Sequence, residues 1–187
     1  MQSRLTELNE QNMTAEQKRV VNAILTGPRG NLDGPFLAWV HSPALADRAQ
    51  ALGAFCRYDT QLPLRLSELA ILVTAAQWQS QAEWQIHEPI ARSAGLEAEI
   101  IDALQKGVQP AFNDPEAEVI YQIGTELYAT KRVSTALYQR GKELLGEVAL
   151  VELIGIYGYY AFVAMTLNVF EVRRETDQPL PFEEPDS

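Results

Sequence analysis

The sequence is poor in cysteine, in histidine and in positive charge. A single cysteine, Cys56, stands in 187 residues, so neither a disulfide framework nor a Cys-x-x-Cys redox or zinc site can be built within one chain. Cys56 reads as structural, and a reduced, cytoplasmic compartment is expected. Lys and Arg number 15 against 25 Asp and Glu, for a net charge of −10, and no basic run breaks that balance. Phosphate binding needs a positive footprint, so nucleic acid is not an expected partner. The polar stretch from Met1 to Gln17 lacks the apolar segment of a secretion signal, so export is not expected either.

Strand signals are scarce as well, whereas helix punctuation is abundant. Thr14 and Gln17 have capping-box spacing ahead of Val20, Val21, Ile24 and Leu25, with Gly27-Pro28 as a stop. Arg29 to Phe36 reads as a loop. Ser42-Pro43 opens a helix to about Phe55. Pro63 opens Leu64 to Trp78, which is apolar on almost every side and belongs in the core. Ser80 starts a helix interrupted at Pro89 and closed by Ala94-Gly95-Leu96, where Gly95 takes a left-handed cap. Further helices are expected from Glu97 to about Gln105, Asp114-Pro115 to about Thr130, Ser134 to about Leu145, and Val148 to Val172.

The class is therefore all-α, a compact multi-helix bundle without internal repeat or dividing linker, and soluble. Val148 to Phe170 raises the question of a membrane span, for which ~20 apolar residues suffice. Glu152, Asn168, two glycines and three tyrosines within it favour a buried core helix. The acidic tail from Asp177 to Ser187 reads as loosely ordered.

Chemistry has few places to reside. Glu83 and His87 are four residues apart, on one face of a helix and within hydrogen-bonding reach. A carboxylate beside an imidazole fixes its tautomer and raises its pKa, which makes an acid/base couple suited to neutral pH. Ser80-x-x-Glu83 is equally a capping box, in which Glu83 only ties down a helix start. Glu68 lies in the most apolar helix, where a carboxylate must be paired or working; an ion pair with Arg65 is its structural alternative. Pro89 removes the hydrogen bond to the Gln85 carbonyl and should kink the helix.

His41, at a helix start, and Trp78 and Trp84, flanking the pair, are candidates for lining a substrate pocket, against loop and core roles respectively. Tyr159, Tyr160 and Asn168 are polar handles in an apolar helix, with core hydrogen bonding the expectation.

These residues carry a resemblance. The run Arg65 to Leu72, Trp78, Glu83-Trp-Gln-Ile-His87, Ala94-Gly95-Leu96 and the closing run Gly158 to Asn168 resemble the carboxymuconolactone decarboxylase-like family, which shares the alkylhydroperoxidase D helical fold. The likeness divides the single domain into an N-terminal helix and loop (1–35), a family-like core (36–172) and an acidic tail (173–187). It implies assembly into homo-oligomers, trimers or hexamers, with the site near a protomer interface.

The resemblance also implies a choice of chemistry. The peroxidase branch carries a glutamate, Cys-x-x-Cys, and a histidine four residues on. Glu68 and His87 match the ends of that pattern, but Ser80 and Glu83 stand where the two cysteines would be. Without thiols the peroxidase reaction has no nucleophile. The decarboxylase branch carries Glu-x-x-x-His there, so the expected activity is a cofactor-independent lyase acting on a small carboxylated lactone or related ring compound, as in aromatic compound catabolism. His87 would be the acid, Glu83 its orienting partner, and Glu68 a support. No metal or organic cofactor is expected. The alternatives are an alkylhydroperoxidase or peroxiredoxin-type antioxidant enzyme, and a non-catalytic helical ligand-binding or assembly protein.

Overall fold

The structure, a computed structural model, describes residues 1–174 and 179–184. Among them the only strand-like pairing is an isolated antiparallel bridge between Gln2 and Arg173, which ties the N-terminal segment to the chain leaving the last helix. The rest of the regular structure is helical: α1 Ala15–Thr26, α2 Phe36–Trp39, α3 Pro43–Ala54, a π turn Phe55–Asp59, α4 Leu64–Gln77, α5 Gln81–Ser93, α6 Ala98–Gln105, α7 Pro115–Thr130 and α8 Thr135–Val169.

Local chemistry sets most of the ends. The Thr14/Gln17 capping box is complete, with Gln17 N donating to Thr14 Oγ1 at 3.2 Å and Thr14 N to Gln17 Oε1 at 2.8 Å. Asp114 accepts from Glu116 N at the start of α7. At the end of α5, Gly95 takes φ +89° while Leu96 N reaches back to the Ala91 carbonyl, a Schellman closure. Gly146, at φ 79° and ψ 166°, breaks the path of α8 where two successive helices were expected. The second ends at Val169, three residues short of the expected Val172.

The core is built around α4, which packs against α5, α7 and α8. Every residue of α4 from Leu66 to Ala75 is buried, so this helix has no solvent face on which to place a polar side chain. The second half of α8 contributes Leu153, Ile156, Tyr157, Tyr160, Val163 and Leu167 to the same core. Half of its apolar stretch is buried in this core, and by length and composition alone the helix could cross a bilayer.

Three local expectations fail for physical reasons. Helix α5 runs through Pro89 without interruption, because the Gln85 carbonyl, left without its helical donor, accepts instead from Arg174 Nη1 at 3.1 Å. Ser80 is the N-cap of α5, but its hydroxyl makes no cap bond and is buried without a partner, so the capping box that was the structural alternative for Glu83 does not form. The tail is not loose where it is described. Phe182 packs edge-on against Trp84 at 5.3 Å, and the Gln81 side chain both donates to and accepts from the Phe182 backbone. The expectation for 177–178 and 185–187 falls outside the described residues.

Candidate active site

The burial of α4 on all sides carries Glu68 inside with it: the residue is 1% exposed. Arg65 does not accompany it, being paired with Asp114 at the start of α7. A carboxylate so placed requires a partner, and α5 supplies one. Glu68 Oε2 lies 2.8 Å from His87 Nδ1, with both side chains buried. This corrects the sequence expectation that Glu83 orients the imidazole; the residue that does so is 19 positions earlier, on the neighbouring helix. With Nδ1 engaged, Nε2 is the ring nitrogen left for a ligand. The ring also meets Tyr160 edge-on, with centroids 5.1 Å apart, which fixes its plane.

Glu83 has the opposite situation. It is 1% exposed, and neither carboxyl oxygen has a hydrogen-bond partner. Burial without compensation pushes its pKa well above the usual carboxylate range, so the site favours the neutral carboxylic acid. Its four-residue spacing from His87 places both on the wall of one cavity of about 170 Å³ rather than in mutual contact.

The cavity lies between α5, the second half of α8, the loop before α2 and the π turn. Tyr159 and Tyr160 face it from α8. The Tyr159 hydroxyl is buried without a partner, and burial pushes its pKa up to about 12. Arg29 and Asp33 face it from the loop, Arg57 from the π turn, and Arg174 from the segment after α8. A π turn presents its side chains out of helical register and is frequent at functional sites; here it delivers Arg57 to the cavity wall.

The sequence candidates for substrate contact do not converge on this cavity. Trp84 is buried against Phe182. Trp78 is partly exposed and lines a separate surface groove, where its carbonyl accepts from Asn168. His41 sits half-buried between α2 and α3, with its backbone N bonded to the Ala38 carbonyl. The cavity residues that sequence reasoning passed over are Arg29, Arg57 and Arg174, and Tyr159 and Tyr160 as site residues. The tyrosines were visible as polar groups in an apolar helix; the arginines gave no spacing signal. Cys56, in the π turn, is fully buried, and burial pushes its thiol up to about 11. Among the described residues no three His, Cys, Asp or Glu side chains gather as a metal site.

No protein-family model matches the chain, and no curated protein matches its sequence. Comparison of structures is informative. A crystal structure from Ralstonia eutropha JMP134, described as an alkylhydroperoxidase AhpD core and an uncharacterized peroxidase-related protein, matches with a TM-score of 0.75 over 92% of both chains, at 15% sequence identity. The chain has the AhpD-like fold. At that identity the likeness extends to the path of the backbone and not to the reaction. Within the AhpD-like frame the cavity of this chain is walled by carboxyl, imidazole, phenol and guanidinium groups, and its one cysteine is buried in the π turn.

Proposed function

We propose that this AhpD-like protein is a cofactor-independent acid/base lyase of the carboxymuconolactone decarboxylase type, acting on a small carboxylated lactone or related ring compound in the cytoplasm. The observation that carries the reading is the juxtaposition, on one small cavity, of an unpaired buried carboxyl at Glu83 and an imidazole at His87 whose Nδ1 is held by Glu68. Environments that push titratable groups apart are how a site divides acid from base roles.

In this reading the substrate carboxylate leaves as carbon dioxide. The carbon–carbon bond breaks, and its electron pair passes into the conjugated lactone as a dienolate. One proton must then be delivered to carbon. Glu83, held neutral by burial, supplies it, which exchanges the earlier assignment of roles: Glu68 orients, and Glu83 donates. His87, set by Glu68 to present Nε2, carries the replacement proton from the cavity to Glu83. The reaction consumes one proton overall and needs no oxidant. Tyr160, packed on the imidazole, limits its rotation between turnovers.

Carbon dioxide release from carboxylated unsaturated γ-lactones tests the reading. Glu83→Gln and His87→Gln should each remove turnover while helical circular dichroism stays intact; undiminished release in either variant would overturn it. Homo-oligomeric assembly belongs to the same reading, supported by the exposed apolar residues Val148, Val151 and Ile154 on α8.

The description of the structural neighbour as peroxidase-related favours a second reading, a peroxide-reducing enzyme. Its nucleophile would have to be Cys56, whose burial and raised pKa both oppose thiolate formation. Peroxide turnover abolished by Cys56→Ala would establish it.

A further inference from the structure

The half of α8 that the core does not use is apolar as well. From Glu143 to Val172 the chain has no Lys or Arg, and after Glu152 the helix carries no charged side chain at all. Glu152 is engaged elsewhere, accepting from the backbone N of Gln61 at 2.6 Å. What remains on the outward face is bare: Val151 is 72% exposed, Val169 60%, Val148 53%, Ile154 43% and Met165 42%. Val151, Gly158 and Met165 recur every seven residues, a spacing that keeps them in one line along a helix. A contiguous apolar patch of this kind marks a docking surface.

The shape of the face says what fits it. A Cβ on Gly155 or on Gly158 would meet no atom within 4 Å, and neither residue has a positive φ. Nothing within the protomer therefore calls for glycine at either position, although glycine weakens a helix. Their effect is on the surface, which is bulky toward both ends and hollow at its centre. That profile is self-complementary under a two-fold axis through Gly158. Antiparallel copies set Val151 against the partner's Met165 and Ile154 against the partner's Phe162, while the backbones approach at the glycines. Phe162 is half-buried, with its ring stacked on Trp39 at 4.7 Å, so its position is fixed before a partner arrives. Paired along its length, the face covers on the order of 600 Å² per copy, the lower end of what stable interfaces bury. A bilayer surface fits less well. Interfacial helices carry Lys or Arg beside the apolar face, whereas this one has none and begins with Glu143 and Glu147.

We propose that a second copy of this chain docks antiparallel on the outward face of α8, with a two-fold axis at Gly158. The inference deepens the assembly part of the reading above by fixing which surfaces meet and in what register, and it rests on none of the proposed chemistry. A two-fold contact gives a dimer or an even-numbered assembly built from dimers. Tyr159 and Tyr160, which face the cavity, follow Gly158 on the same helix, so the contact and one cavity wall share a single rigid element.

The test is sedimentation equilibrium of the full chain, followed by disulfide trapping. The wild-type protein should sediment as a dimer or an even multiple of one. Gly158→Glu, which brings two carboxylates together at the axis, and Val151→Glu should each weaken the contact on the order of hundredfold or more, with helical circular dichroism unchanged. Val151→Cys and Met165→Cys are then prepared separately and oxidised alone and mixed, Cys56 being silent at 0% exposure. A disulfide-linked pair should form in the mixture and in neither variant alone, because positions 151 and 165 lie about 21 Å apart along one helix and meet only across the axis. A monomeric or odd-numbered wild-type protein would overturn the proposal, as would an unchanged mass in both glutamate variants. Val151→Cys linking to itself would overturn the antiparallel register. Binding to phosphatidylglycerol vesicles that Gly158→Glu removes would assign the face to a membrane instead. Carbon dioxide release from a monomeric chain would retire this contact and leave the lyase reading; an α8-linked dimer without release would do the reverse.

Discussion

Glu83 offers a prediction whose magnitude follows from its surroundings. The carboxyl is fully buried, both oxygens lack partners, and burial pushes its pKa well above the glutamate value of 4.5 that it has in the unfolded chain. Between those two values the folded protein holds one proton that the unfolded chain has released. The dependence ∂ΔG/∂pH = 2.303RT(νU − νN) then has νU − νN = −1, so stability falls as pH rises, by at most about 1.4 kcal/mol per unit. The loss begins near pH 4.5 and continues until the pH reaches the folded-state value. For a chain of this length that slope corresponds to roughly 3–6 °C in Tm per pH unit. Glu83→Gln has the same shape and no proton to lose. Thermal or urea melts of both proteins from pH 5 to pH 8, read as the difference between them, cancel the other titrating groups. The difference should grow with pH in favour of the variant. A difference that stays flat across the range would refute the claim that Glu83 is buried as a neutral acid.

Further outcomes follow from the same packing. Glu68→Ala strands the His87 Nδ1 group in the core and should cost about 1–3 kcal/mol, measured by urea denaturation at pH 7. Gly53→Ala drives a Cβ into Tyr159 and Arg29 and should destabilise by about 1–3 kcal/mol in a urea melt; a neutral change would mean that α3 can retreat. Cys56→Ala should leave lyase turnover intact, with a stability loss of about 1–2 kcal/mol in a thermal melt, because the residue fills space at 0% exposure.

Much of the helical frame was legible because its punctuation is local. Thr14, Pro63, Asp114, Gly95 and Gly146 mark helix ends through their own backbone or side-chain chemistry, and the structure places ends beside each. The burial of Glu68 was legible too, from the continuous apolar character of α4. What escaped depends on contacts between segments distant in sequence. Pro89 does not interrupt α5 because Arg174, 85 residues later, satisfies the freed carbonyl. The partner of His87 lies across a helix pair and not one turn away, since i,i+4 spacing permits a hydrogen bond without requiring it. The π turn that delivers Arg57, and the loop geometry that buries one edge of Arg29, leave no periodic trace. Trp78 and Trp84 looked like pocket residues from proximity in sequence, but α5 turns Trp84 toward the tail and Trp78 faces a different groove.

The central claim is that Glu83 and the Glu68–His87 pair perform proton transfer to carbon without a thiol. A turnover experiment in deuterium oxide with a carboxylated unsaturated lactone measures that transfer directly. The account predicts one deuterium on the carbon of the product lactone that takes the proton from the dienolate, loss of product in Glu83→Gln, and full incorporation in Cys56→Ala. Product formed at the wild-type rate by Glu83→Gln, or abolished by Cys56→Ala, would contradict it.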